Sequence, residues 1–83
     1  MPEYLKKINR SSVVQRVIDR LTQAMLSGEL KPGDKIPTEM ELSEQLGVAR
    51  NSIREAIKIL VYIGVLEIKR AEGTLYVMAS QKV

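Results

Sequence analysis

The sequence predicts a mainly α-helical domain with a small β-hairpin, arranged as a three-helix winged helix-turn-helix. Two observations predict this fold. First, three segments have apolar residues at helical spacing, and a short turn at Gly47 separates the second from the third. Second, after Gly64 apolar and polar residues alternate, as they do in a β-strand. The 83 residues suffice for one domain with a thin core. We place that domain at residues 11–79, after a flexible N-terminal arm at 1–10 and before the start of a linker at 80–83.

The first helix is predicted to begin at Ser12. Ser12 and Gln15 fit a capping box, in which each polar side chain satisfies a free backbone amide at the helix start. A stripe of apolar residues follows at helical spacing: Val14, Val17, Ile18, Leu21 and Met25. Gly28 then favours a left-handed C-terminal cap.

The second helix is predicted to be short, starting after Pro37 and ending at Gly47. Thr38 and Glu41 form a second capping box directly after a proline that cannot lie inside a helix. Leu42 and Leu46 form its apolar face. Met25 of the first helix and Met40 of the second are expected in the core.

The third helix is predicted at about residues 49–63. At about 100° per residue, its apolar side chains fall on one face: Ile53, Ala56, Ile57 and Leu60. The neighbouring face is polar and cationic: Arg50, Asn51, Arg54 and Lys58. Ala49 has no side-chain atom that can cap this helix, and Ser52 with Glu55 could cap a later start.

A β-hairpin is predicted at about residues 66–78. Leu66–Lys69 alternates between apolar and polar residues, as in a half-buried strand. Ala71, Glu72 and Gly73 favour a turn, and Thr74 to Met78 favours a return strand.

Composition excludes several classes of protein. Cysteine and histidine are absent, and no phosphate-binding loop or paired carboxylates in a pocket can be found, so we expect no enzyme, no cofactor and no metal. No segment is apolar enough for a signal peptide or a membrane span, which favours a cytoplasmic protein. The net charge is +3, and the basic excess lies wholly in residues 45–83. Such a balance suggests an anionic partner.

A helix with a cationic face after a tight turn favours DNA binding, because such a helix fits the major groove of the duplex. Arg50 and Arg54 can each bridge guanine O6 and N7 or clamp a phosphate. Asn51 is suited to adenine, and Ser52 could donate to a phosphate. The hairpin would act as a wing near the backbone or the minor groove. Further candidate contacts are Thr38, Lys58, Lys69, Arg70, Glu72 and Gly73.

Several segments, in order and at the right spacing, resemble the N-terminal DNA-binding domain of the GntR family of bacterial transcription regulators. They are SGELKPGDKIPTE (27–39), LSEQLGV (42–48), RNSIREAI (50–57), GVL (64–66) and EGT (72–74). The run Arg54-Glu55-Ala56 favours the FadR-like subgroup. The resemblance covers residues 12–78.

The resemblance implies a winged helix that binds double-stranded operator DNA as a homodimer, with a repressor role expected. The implied DNA contacts are Arg50, Asn51, Ser52, Arg54 and the wing tip at Glu72 and Gly73. Family members also carry a C-terminal domain that binds an effector and forms the dimer, and that domain is absent from these 83 residues.

The sequence departs from the family pattern at three places. Met40 stands where many members have a DNA-contacting arginine, and Ala49 where a serine or threonine caps the recognition helix. Ala71 and Glu72 replace a glycine and a basic residue at the wing tip, and an acid there would be repelled by a narrow minor groove.

Two other functions stay open on the residues alone. The acidic second helix could serve a protein-interaction module, which a salt-dependent gel shift with DNA would distinguish. An RNA-binding domain is the other alternative. Readers of single-stranded RNA stack bases on aromatic rings, and the predicted hairpin offers only Tyr76.

Overall fold

The computed structural model describes the backbone of residues 9–77 and the side chains of residues 12–77. Within them the chain forms three helices and a two-stranded antiparallel hairpin, which confirms the predicted fold class. The elements are α1 (Asn9–Ser27), α2 (Glu39–Leu46), α3 (Arg50–Tyr62), β1 (Leu66–Lys69) and β2 (Gly73–Tyr76).

Helix α3 lies at the centre of the fold and packs against α1, α2 and β1. Its predicted apolar face is confirmed, since Ile53 and Ala56 are completely buried and Ile57 and Leu60 nearly so. The core is a single cluster drawn from every helix and from the hairpin: Val14, Val17, Leu21, Ile36, Leu42, Ile53, Ala56, Ile57, Leu60 and Leu66. Burial of α3 on several sides leaves its remaining face in a fixed orientation.

The predicted start of α1 is wrong. The helix already includes Asn9, so Ser12 lies within it and cannot be an N-cap. Gln15 instead donates from Nε2 to Asp19 Oδ1 at 2.9 Å, along the exposed side of the helix. The last two residues of the predicted arm are therefore helical, while residues 1–8 of that arm and the linker at 80–83 lie outside the described residues.

Helix α2 has the predicted capping box. The Thr38 hydroxyl accepts from the Glu41 amide at 3.1 Å, and Glu41 Oε1 accepts from the Thr38 amide at 2.9 Å. The expectation for Met40 is wrong, because this side chain is 53% exposed. Met40 is two residues from the buried Leu42, and helix positions so separated do not share a face.

The hairpin pairs Leu66 with Tyr76 and Lys69 with Gly73, so β2 begins one residue earlier than predicted and ends at Tyr76. Leu66 is buried, but Ile68 on the same strand is 61% exposed. The alternating pattern therefore misjudged Ile68: only the beginning of β1 packs on the core.

A third segment joins the hairpin. Lys35 forms an isolated antiparallel bridge with Leu75, the Ile36 amide donates to Thr74 O at 2.9 Å, and the Tyr76 amide donates to Asp34 O at 2.9 Å. The short segment between Gly33 and Pro37 is thus a partner of β2. This pairing places the start of α2 beside the wing.

Candidate nucleic-acid interface

The turn between α2 and α3 is held by two features. Gly47 adopts a left-handed conformation with φ of 69°, and its amide donates to Ser43 O at 2.9 Å. The Ser43 hydroxyl donates to Val48 O at 2.6 Å, across the turn. Because Gly47 has no Cβ, it adopts this backbone conformation without the steric cost that other residues meet. The turn therefore fixes how α3 leaves α2.

Helix α3 presents the predicted polar face. Arg50, Asn51, Arg54 and Lys58 are all exposed. The buried residues of the helix lie beside this face, so packing of the core orients the four polar side chains outward together.

The start of α3 bears on two expectations about Ser52. The helix begins at Arg50 with Ala49 at the N-cap, and no side chain caps it, so a later start at Ser52 is wrong. Ser52 is also only 6% exposed, so little of its side chain is accessible, and its contact with a phosphate stays a prediction. Two residues beyond Arg50, Ser52 lies on the side of α3 that is covered by the core.

The most informative contact of the interface joins α2 to α3. Arg54 donates from Nε to Glu39 Oε2 and from Nη2 to Glu39 Oε1, both at 3.0 Å. Arg50 Nη2 lies 3.9 Å from the same Oε1. The hydrogen bond from Arg54 has the largest effect and lowers the pKa of Glu39; burial opposes it, and the charges of Arg54 and Arg50 lower the pKa further. The same contact raises the pKa of Arg54.

Sequence reasoning missed this ion pair. It treated the acids of α2 only as a possible surface for another protein and the arginines as a face on one helix. The two partners are 15 residues apart, and their meeting depends on the angle between two helices. The available signal was the presence of acidic residues in the helix before the cationic one. The apolar period of α3 gives no information about which of those acids its arginines contact.

A groove of about 430 Å³ lies between α3, the beginning of α2 and the hairpin. It brings together four of the predicted site residues, Thr38, Arg54, Lys58 and Gly73, with Glu39. Thr38 accepts a hydrogen bond in its capping box and still carries a hydroxyl hydrogen that it can donate.

Lys35 also lines this groove and was not among the predicted site residues. A Cβ at Gly73 would lie 3.3 Å from Lys35 Cδ, so the lysine stem passes close under the wing. Its position follows from the bridge to Leu75, a long-range pairing that no local pattern indicates.

The remaining wing residues lie apart from the groove. Arg70, Ala71 and Glu72 form the exposed tip, closed by a hydrogen bond from the Glu72 amide to Lys69 O at 3.1 Å. Lys69, Arg70 and Glu72 are not among the side chains that line the groove. The tip therefore carries one cation and one acid, with a second cation, Lys69, at the adjoining end of β1, and all three are open to solvent.

The part of the chain that the structure describes holds no cluster of acidic, histidine or cysteine residues able to bind a metal ion. Among the same residues, no helix combines the length and the apolar character needed to cross a membrane.

Known proteins with similar sequences are bacterial regulators. The chain is 42% identical over 69 residues to the "Uncharacterized HTH-type transcriptional regulator YcbG" of Bacillus subtilis (strain 168), covering 83% of this chain and 30% of YcbG. It is 40% identical over 60 residues to the "Mannosyl-D-glycerate transport/metabolism system repressor MngR" of Escherichia coli (strain K12), covering 72% of this chain and 25% of MngR. The chain thus spans less than a third of the length of either relative.

A solved structure with a similar fold is that of AraR(DBD) in complex with operator ORR3. It has a TM-score of 0.72 and 38% sequence identity, and the match covers 77% of each chain. The family profile described as "Bacterial regulatory proteins, gntR family" matches residues 13–75. These findings confirm the predicted membership of a family of bacterial regulators, while the FadR-like subgroup stays a prediction. The chain belongs to the gntR family of bacterial regulatory proteins.

Proposed function

We propose that this chain is the sequence-specific DNA-binding domain of a bacterial transcription regulator, with α3 in the major groove of double-stranded operator DNA. The exposed face of α3, formed by Arg50, Asn51, Arg54 and Lys58, carries this proposal. The major groove is about 12 Å wide and admits an α-helix. The operator complex of AraR(DBD), a protein of similar fold and 38% identity, supports the same mode of binding.

The residues take different roles on the duplex. Arg50 lies at the N-terminal end of α3 and would meet base edges, with Asn51 available to an adenine. Phosphates would be contacted by exposed cations farther from the bases and by the hydroxyl of Thr38. The cations are Lys58, Lys69 and Arg70. The wing tip at Glu72 and Gly73 would lie near the backbone, where the charge of Glu72 would oppose binding.

The experiment starts with selection of bound duplexes from a randomised DNA library, followed by titration of Arg50→Ala on the selected duplex. We expect a loss of about 1–3 kcal/mol in binding free energy, the usual value of a bidentate base contact. Arg20→Ala is the matched control, because it removes the same charge from an exposed position of α1. It should leave discrimination between duplexes unchanged.

Equal losses from the two arginine variants would contradict the assigned recognition face. Competition with single-stranded RNA tests the alternative RNA-binding function, since RNA should displace the duplex only weakly. A chain that binds no duplex at low salt would instead favour a protein-interaction module.

We infer further that the whole regulator is a cytoplasmic repressor that binds its operator as a homodimer. The dimer would form through a C-terminal effector domain. YcbG and MngR are more than three times as long as the part that matches this chain, which supports a further domain in the whole regulator. MngR is named as a repressor, which supports the same role for the whole regulator. The isolated 83 residues should then sediment as a monomer at micromolar concentration, and tethering two copies should raise affinity through effective concentration. A tight dimer of the isolated chain would contradict this view.

A further inference from the structure

Arg54 meets Glu39 along one edge of its guanidinium group. The contact uses Nε and Nη2, which donate to the two carboxylate oxygens at 3.0 Å each. A guanidinium carries five N–H donors in a rigid fork. The contact therefore occupies two of them and leaves three, which belong to Nη1 and Nη2. One hydrogen of Nη1 and one of Nη2 form the end of the fork that faces away from the side chain's own stem, and the second hydrogen of Nη1 lies on the side of Cδ.

The free end of the fork has the geometry that guanine requires. Guanine presents O6 and N7 as adjacent acceptors in the major groove, and two parallel N–H groups can bind them together. The carboxylate holds the adjoining edge, formed by Nε and Nη2, so the orientation of the plane is set before DNA arrives. An anchored arginine loses less side-chain entropy on binding than a free one.

Charge separates this role from a phosphate clamp. Glu39 neutralises the charge of Arg54, and its second cationic neighbour, Arg50, lies at 3.9 Å. A neutral ion pair is attracted only weakly to a phosphate, and the carboxylate itself repels that anion. A contact with guanine depends less on the net charge of the pair, because the base is neutral and is recognised mainly through two directional hydrogen bonds. Of the two roles that the residues left open for Arg54, the geometry favours reading a base.

We propose that Glu39 is a specificity-determining residue: it orients Arg54 to read a guanine and lowers attraction to phosphates of any sequence. This inference rests on the proposed function in DNA binding. Glu39 is a positioning residue, since it acts through Arg54. Its side chain would discriminate between operator and other DNA without touching a base.

The test compares Glu39→Gln with wild type in two measurements. In selection from a randomised duplex library, wild type should prefer guanine at one position by roughly 5- to 150-fold. The variant should lose most of this preference, because a glutamine amide can accept from one donor of the fork but not from both. Affinity for a fixed non-selected duplex should rise, with a steeper dependence on salt.

Glu44→Gln is the matched control. It removes the same charge from an exposed position of the same helix, and the guanine preference should be unchanged. Arg54→Lys provides a second variant that keeps the positive charge but lacks the fork, and it should lose the preference at the same position. In an Arg54→Ala background, Glu39→Gln should have no further effect on base preference.

The possible results separate the positioning role of Glu39 from DNA binding itself. If Glu39→Gln or Arg54→Lys selects the same guanine as strongly as wild type, the positioning role is overturned while DNA binding stands. If wild type binds no duplex, the proposed function and this inference are overturned together. Circular dichroism of each variant shows whether helical content is retained, and a change of base preference at equal helical content supports the proposal.

Discussion

The two helices of the helix-turn-helix begin with different caps, and this difference makes a stability experiment possible. Thr38 has φ of −69° and ψ of 166°, and its hydroxyl caps α2. Ala49 has φ of −66° and ψ of 147°, the same extended region, but its methyl group cannot accept a hydrogen bond. Ala49→Thr would therefore place a hydroxyl on a backbone already arranged for capping. We expect this substitution to stabilise the fold.

The size of the effect follows from the amides at the start of α3. Replacing alanine by a capping residue is worth about 0.5–2 kcal/mol. The Ser52 amide already donates to Ala49 O at 3.0 Å, so the new hydroxyl gains less than a full cap. We expect about 0.5–1 kcal/mol, which corresponds to a rise in Tm of about 2–8 °C for a domain of this size. Thr38→Ala should lower Tm by about 4–8 °C, since it removes a complete cap.

Calorimetry of wild type, the two single variants and the double variant measures both changes. If the two caps act independently, the double variant should equal the sum of the singles within about 0.5 kcal/mol. Ala71→Thr in the exposed wing turn is the control and should change stability by no more than about 0.5 kcal/mol. An unchanged or lower Tm for Ala49→Thr would refute the view that α3 lacks a cap.

Three other predictions test the wing and the ion pair. Gly73 and Gly33 have φ of 99° and 97°, so replacing either by alanine should lower the free energy of unfolding in urea by about 1–2 kcal/mol. Only Gly73→Ala should also weaken DNA binding, because only there does the new Cβ meet Lys35. The pKa of Glu39 is lower in the folded chain, so the unfolded chain binds more protons at acidic pH. The free energy of unfolding should therefore fall as the pH drops below about 5, and it should fall less in Glu39→Gln. Glu72→Arg should tighten binding to non-selected DNA and steepen the salt slope by about one; equal slopes would mean that the wing tip stays clear of the duplex.

Local patterns predicted most of the fold, because they depend on neighbours in sequence. The bounds of α2 followed from the capping box at Thr38 and from Gly47. The same kind of motif at Ser12 misled, since a serine and a glutamine at that spacing also occur within a helix. Ile68 was misjudged because alternation indicates a buried face only where something covers it.

In the candidate site, too, the features that depend on neighbours in sequence were predicted, and those that depend on tertiary packing were not. The period of α3 brought out Arg50, Asn51, Arg54 and Lys58, because these residues share one element. The burial of Ser52 and the partner of Arg54 depend on how α3 packs against its neighbours. Lys35 depends on a pairing with a strand that comes much later in the chain. These contacts arise from tertiary packing, so no local pattern indicates them.

The bridge between Lys35 and Leu75 has a consequence for how the wing can be studied and for how the domain folds. It closes a loop of about 40 residues that contains both α2 and α3, so the hairpin can dock only after distant parts of the chain have met. Removing the hairpin would also leave the amide of the buried Ile36 without its acceptor, Thr74 O. A truncated chain would therefore be damaged in its core as well as shortened, and point substitutions at the tip are the sounder way to measure what the wing contributes.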